Sequence, residues 1–319
     1  MDQIKKILAP GNIRSWRKKV ARSNGTVAVV AGSFDIFQPG NLQAIRTAAK
    51  QASHVCIVVD ADTNQQNRGW AWNSAEVRME LVSHLRDATV VLQLAANQAQ
   101  AGFQDLRPYR LVDCMSRPAE TTLYQIARTM AESVMDLSPI LGCFTPDISA
   151  RILRDATPVP IDPGICAPLP GPADLDRLQQ NRTGRVLVTV NGCFDILHLG
   201  HLRMLAEARQ KGDELIVLIN DDASVRAYKN PTRPVFPVHF RITALQALTS
   251  VSLAYPFSGD NPLDLIAKIK PDIHVKGGTY EENRVRRERE LLASWGGRLE
   301  FCPLVEGYST TAMIKRTGG

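Results

Sequence analysis

Apolar positions along the chain alternate between two rhythms. In "RVLVTV" (185–190) and "ELIVLIN" (214–220) they run unbroken for about the length of one buried strand. Between these runs, "LHLGHLRMLAEARQKG" (197–212) spaces its apolar residues at the period of a helix and stops at Gly212. The first half repeats the order with "TVAVVA" (26–31), "NLQAIRTAAKQA" (41–52) and "HVCIVVD" (54–60). Strands that alternate with helices pair in parallel through right-handed crossovers, so the pattern predicts α/β architecture with doubly wound parallel sheets.

The halves are related to each other. Over Gly32 to Leu42 and Gly192 to Leu202, GSFDIFQPGNL and GCFDILHLGHL agree at six of eleven positions. Farther on, "EVRMELVSHL" parallels "HFRITALQAL", "RPYRLVDCM" parallels "KPDIHVKGG", and "CFTPDISARI" faintly echoes "GYSTTAMIKR". This is a tandem duplication of one domain. From Thr157 to Asp174 six prolines fall in eighteen residues, which blocks helix and marks a stiff linker. The expected division is a first domain at 1–156, a linker at 157–174 and a second domain at 175–319.

Composition narrows the picture only a little. The net charge of +6 suits an enzyme with anionic substrates and is a poor match to nucleic acid binding. No apolar run is long enough for a membrane span, and the basic N-terminal stretch has no apolar core of a signal peptide, so a cytoplasmic protein is expected. The cysteines at 56, 114, 143, 166, 193 and 302 form no C-x-x-C pair and read as buried thiols in a reducing compartment.

The chemistry concentrates in "NGCFDILHLGH". A helix start offers unpaired amides and a positive dipole end to a phosphate, and Gly200 lets that phosphate approach the main chain. His198 and His201 flank the approach as hydrogen-bond donors, whereas His54, His84, His239 and His274 read as structural. Asp222, after the second strand, either orients a metal or substrate hydroxyl or serves as a helix cap or turn. Lys229 and Arg233 lie in "YKNPTRPV", read as a mobile lid against a solvated loop. Arg241 opens a helix, as a phosphate contact or a surface cation. Lys276, Gly277 and Gly278 follow an apolar run and allow a tight turn beside a ligand. Ser309, Thr310 and Thr311 carry an N-cap signature and offer a second phosphate-facing helix start.

With these residues in place, the second half resembles the nucleotidyltransferase superfamily marked by H-x-G-H. It is most similar to the ADP-heptose synthase (heptose 1-phosphate adenylyltransferase) domain family. The likeness rests on "NGCFDILHLGH", "NDDASVRAYKNPTRPV", "FRITALQAL", "PDIHVKGGTY" and "GYSTTAMIK". It implies that Asn191, Gly192, Cys193, Phe194 and Asp195, with the histidine pair, hold the nucleotide phosphates. Lys229 and Arg241 would steady the triphosphate, and the "KGG" and "STT" segments would surround base and phosphates. Thr279 stands where that family's pattern usually has Asp, which bears on base or acceptor preference. Heptose enzymes of the bifunctional kind carry a sugar kinase before this domain, whereas here an eroded copy precedes it. That tandem arrangement is similar to the ethanolamine-phosphate cytidylyltransferases.

The expected reaction is attack by a phosphate oxygen of a sugar or alcohol phosphate on the α-phosphorus of a nucleoside triphosphate. Pyrophosphate leaves and Mg²⁺ bridges the phosphates, with no protein ligand assigned beyond a role for Asp222. ATP and a heptose-type sugar 1-phosphate are favoured. The alternatives are a CTP-dependent cytidylyltransferase for a polyol or amino-alcohol phosphate and a nucleotide-binding regulator without turnover. In the first half His198 becomes Gln38, His201 becomes Asn41, Lys276 becomes Asp113, and the Ser-Thr-Thr segment becomes roughly Thr145, Pro146, Asp147. An Asp in place of a phosphate-facing Lys is expected to repel a triphosphate. Catalytic loss is therefore expected there, with Gly32, Phe34, Asp35, Ile36 and Leu42 kept for packing and turns. The first copy is expected to imitate a homodimer within one chain, with a true homodimer left open.

Overall fold

The computed structural model describes residues 3–62, 72–113, 122–138, 148, 159, 161–229, 231–278, 282–303 and 308. The chain divides into two compact units, 1–150 with 316–319, and 151–315.

In the first unit, helix α1 (Ile13–Arg22) precedes β1 (Val27–Gly32), α2 (Pro39–Gln51) and β2 (His54–Asp60). Then come α3 (Ala75–Ser83), β3 (Val90–Leu94), α4 (Ala96–Leu106), β4 (Arg110–Asp113), α5 (Thr122–Met130) and β5 (Ser133–Asp136). The strands pair in parallel in the order β3-β2-β1-β4-β5. One face of this sheet buries Val27, Val29, Ala31, Leu92 and Leu111 against Phe103 and Leu123.

The second unit repeats the plan. Helix α6 (Pro172–Gln180) leads into β6 (Leu187–Gly192), α7 (Leu199–Gln210), β7 (Glu214–Asn220), α8 (Asp222–Tyr228) and α9 (Val238–Gln246). It closes with β8 (Leu253–Phe257), α10 (Leu263–Ile269), β9 (Ile273–Gly277), α11 (Glu282–Ala293) and β10 (Arg298–Cys302). The sheet order β10-β9-β6-β7-β8 is that of the first unit read from the other edge, and its pairs are parallel. Both sheets are thus Rossmann-like, and both reverse strand order beside the first strand, where open α/β sheets take ligands.

Strand β6 runs two residues beyond the apolar run, because Asn191 and Gly192 stay in register with Leu218 and Ile219. The proline-rich stretch is tied to the second unit by Val159 N–H on Val235 O (3.1 Å) and Ala167 N–H on Thr243 Oγ1 (2.9 Å), and α6 begins within it at Pro172. Cys56 and Cys302 are buried, but Cys166 and Cys193 are only half-buried, which corrects the reading of all as core thiols. Among the described residues no helix is long and apolar enough to cross a membrane.

Candidate active site

The site begins where β6 ends. A Cβ on Gly192 would lie 3.0 Å from Phe194 Cε2, so glycine makes room for the ring that follows. Phe194 itself sits at φ +46°, and Phe34 at +53° repeats the conformation in the first unit. A left-handed aromatic residue costs on the order of 1–3 kcal/mol and persists only where its surroundings hold it. The turn drives Phe194 inward to 3 % exposure, against the His201 ring at 5.0 Å between centroids. The Phe194 side chain therefore supports a histidine from the interior.

His198 caps α7, its Nδ1 accepting the His201 backbone N–H at 3.3 Å. The His198 and His201 rings stack at 3.6 Å between centroids with 20° between planes. Burial, aided by the Lys229 charge, holds His198 down to about 4. Burial, then His198 and Lys229, hold His201 well below its usual range, with the Ile196 backbone opposing the shift. Both imidazoles are neutral near pH 7. With Nδ1 of His198 occupied as an acceptor, its proton resides on Nε2, a donor free of the helix cap. His201 Nδ1 is buried without a hydrogen-bond partner.

Four charged residues expected at the site, Asp195, Asp222, Arg233 and Arg241, are tied to the chain and to one another. Arg241, 1 % exposed, donates through Nε to Phe236 O (2.9 Å), through Nη1 to Cys193 O (2.6 Å) and through Nη2 to Asp222 Oδ1 (2.7 Å). Asp222 Oδ1 also accepts Val238 N–H at 2.8 Å, while the cap of α8 is Asp221, which accepts Ser224 N–H at 2.7 Å. Asp195, 2 % exposed, accepts Val235 and Phe236 N–H on Oδ1 at 2.7 and 3.1 Å, and Arg233 Nε lies 3.1 Å from its Oδ2. Arg233 is buried, so it is no lid cation. In this structure Arg241 directs its Nε, Nη1 and Nη2 to the chain itself, as Asp195 does with Oδ1. Arg78 does in the first unit what Arg241 does in the second, reaching Asn73 O (3.1 Å), Ser33 O (2.7 Å) and Asp62 Oδ1 (2.7 Å). Asp35 likewise accepts Trp72 and Asn73 N–H, each at 2.8 Å. The duplicated staple serves the fold.

Lys229 remains exposed at the end of α8, and its charge acts on Cys193, His198 and His201. Cys193 is half-buried with Sγ 3.8 Å from Asn220 Oδ1, and burial pushes its thiol up. A Cβ on Gly200 would meet Tyr308 O at 3.0 Å, so the chain's own backbone takes part of the approach reserved for a phosphate. Gly278 turns at φ +98° and donates its N–H to Cys302 O at 2.8 Å, directly after Gly277 closes β9. Lys276 is not a bare cation: its Nζ lies 2.5 Å from Glu288 Oε1 on α11. Ser309, Thr310 and Thr311 lie outside the described residues, as do Thr145, Pro146, Asp147 and Thr279. Sequence reasoning missed Glu288, Asn220 and Tyr308; only Asn220, at the end of an apolar strand, carried a local signal.

The first unit closes the same helix start from within. Gln38 N–H donates to Asn41 Oδ1 at 3.3 Å, and Pro39 removes an amide from the first turn. Asp113 is paired with Arg128 at 2.8 Å, and Arg128 also meets Asp136 at 2.7 Å. Asp113, expected from the sequence to repel a triphosphate, is thus partly neutralised by Arg128.

A magnesium ion held by the protein does not fit this donor set. Among the described residues no three His, Cys, Asp or Glu side chains converge, and Asp222 Oδ1 already accepts from Arg241 and Val238.

Fold and site together define an α/β phosphate-binding protein with a histidine pair at a helix start. The chain belongs to the cytidylyltransferase-like family of nucleotidyltransferases, whose model matches residues 29–127 and 189–316 and so reaches both units. It is 46 % identical over 133 residues to the bifunctional protein HldE of Alkalilimnicola ehrlichii, covering 42 % of this chain and 28 % of that protein. It is 48 % identical over 126 residues to the HldE of Acidiphilium cryptum, covering 40 % and 26 %. The chain thus spans little more than a quarter of the length of these relatives. Among solved structures, the lipopolysaccharide core biosynthesis protein from Thermoplasma volcanium matches 40 % of this chain and all of that one, at 26 % identity and a TM-score of 0.34.

Proposed function

We propose that the second unit transfers a nucleoside monophosphate from a nucleoside triphosphate, ATP favoured, to a sugar 1-phosphate of the heptose type. A phosphate oxygen of the acceptor forms a bond to the α-phosphorus as the bond to the β-phosphate oxygen breaks, giving an NDP-sugar and pyrophosphate. The observation that carries this reading is the stacked, neutral His198–His201 pair at the start of α7. His198 Nε2–H and the first-turn amides donate to the charge that grows on the α-phosphate, and Lys229 neutralises the departing pyrophosphate from an exposed helix end. One preorganised donor of this kind contributes a factor of about 10²–10³ in rate. Phe194 and the Arg241 staple hold the turn in place. The likeness to HldE supports the heptose-type acceptor. The first unit, where Asn41 Oδ1 accepts the Gln38 backbone N–H, is read as a folded copy without turnover.

A second reading is CTP with a polyol or amino-alcohol phosphate, since Thr279 stands where the heptose-type pattern has Asp and so bears on base and acceptor preference. Pyrophosphate release by the full chain is measured with ATP or CTP against heptose 1-phosphate, glycerol 3-phosphate and ethanolamine phosphate. Release with ATP and heptose 1-phosphate is expected. CTP-dependent release with an alcohol phosphate selects the second reading, and nucleotide binding without release under all pairs selects a regulator.

A further inference from the structure

The two units act as controls for each other, because the repeated sequence and the shared strand order give each residue of one sheet a counterpart in the other. In the second sheet Thr189 pairs in register with His274, and in the first Val29 pairs with Leu111. All four side chains are buried, at 0 % exposure. Thr189 Oγ1 and His274 Nδ1 hydrogen-bond at 2.8 Å, while His274 Nε2 is buried with no hydrogen-bond partner. Two residues along β9 on the same face, Lys276 meets Glu288, and its charge reaches His274. In the first unit Asp113 stands at the position parallel to Lys276 and pairs with Arg128 on the following helix, an ion pair of opposite polarity.

A purely structural layer has no reason to differ in this way. The first unit fills the central positions with apolar side chains, and burying a polar pair with an orphaned nitrogen costs free energy that Val and Leu do not. The ion pair shows the same logic, since either polarity ties a strand end to the following helix. Only the unit with the histidine pair keeps the polar layer and places the cation on the strand beside Gly277 and Gly278.

We propose that Thr189, His274 and Glu288 are positioning residues that hold Lys276 at the C-terminal end of β9 for the nucleotide. Glu288 restrains Nζ from the helix side, and the Thr189–His274 pair supports the strand beneath it. Lys276 is then presented as a restrained donor next to the strand-order switch. This inference rests on the nucleotidyltransferase reading of the second unit.

Two variants of the full chain install the first unit's own solutions. Thr189→Val with His274→Leu reproduces its apolar pair, and Lys276→Asp with Glu288→Arg reproduces its reversed ion pair. Melting temperature, nucleotide KM and kcat are read on each. The expected result is a folded Val/Leu double variant, melting no lower than the parent, with kcat/KM for the nucleotide down at least tenfold. The charge-reversed variant is expected to fold and to lose kcat/KM about a hundredfold. Unchanged turnover in either folded variant, or failure of both to fold, overturns the proposal. A parent protein that releases no pyrophosphate with any substrate pair overturns the functional reading and this inference with it, a result distinct from the others.

Discussion

His198 Nδ1 accepts the backbone N–H of His201, three residues on at 3.3 Å, and the two rings then stack at 3.6 Å. The first contact determines the tautomer: the proton of neutral His198 is on Nε2. Nitrogen-15 NMR of the full chain at pH 7 is therefore expected to show His198 neutral and Nε2-protonated. A proton on Nδ1 would break the cap and remove the donor from the reaction described above.

Acid sensitivity follows from the same burial. His198 titrates at about 4 and His274 at about 3, both below the ordinary 6.5, and His201 is also lowered. As pH falls below 6.5 the unfolded chain takes up these protons before the folded one does. Their contribution to stability is thus complete above about 6.5 and is lost as pH falls toward 4 and then 3, by roughly 1.4 kcal/mol per pH unit for each imidazole. Thermal unfolding between pH 7 and 4 is expected to show this decline, with a shallower slope in His274→Leu. A melting temperature independent of pH over that range would contradict it.

Lys229 is the exposed cation of the site, and its role separates from folding. Lys229→Met is expected to leave the melting temperature within a degree or two while lowering kcat tenfold or more. Because Lys229 depresses both imidazoles, its removal raises them. The acid limb of the pH–rate profile should then move to higher pH, and an unmoved limb would place the ammonium elsewhere.

Arg241 and Arg78 are expected to behave alike in their own units. Each buried guanidinium joins two carbonyls and one carboxylate, so truncation removes the cation from Asp222 or Asp62 and leaves each only its backbone N–H partner. Because both carboxylates reach solvent, the loss is smaller than the ~3–5 kcal/mol of a fully buried pair. Arg241→Ala and Arg78→Ala should both lower thermal stability in calorimetry, and Arg78→Ala should leave kcat near the parent value. An Arg241→Ala protein of full stability with lost phosphate affinity would return Arg241 to the site.

The duplication, the parallel sheets and the H-x-G-H turn were legible because each is written locally, in strand runs, helix spacing and a repeated string. Long-range pairing was not. Arg241 looks like any helix-opening cation until the fold brings Cys193 O and Asp222 to its fork, 48 and 19 residues away in sequence. The adjacent Asp221 and Asp222 are indistinguishable as letters, yet one caps α8 and the other receives Arg241. Glu288 is one charge among many in "ENRVRRERE", and only the packing of α11 against β10 and α10 brings it to Lys276. The inward aim of Phe194 was hidden in the same way, because a left-handed aromatic residue leaves no compositional trace.

The central claim is that chemistry resides in the histidine pair of the second unit and is absent from the first. Pyrophosphate release by the full chain, compared with His198→Gln/His201→Asn, tests it most directly, since Gln38 and Asn41 already occupy those places in a folded unit. The parent is expected to release pyrophosphate with a nucleoside triphosphate and a phosphorylated acceptor, and the double variant to fold normally with release down at least a hundredfold. A folded double variant with most of the parent's rate would contradict the account.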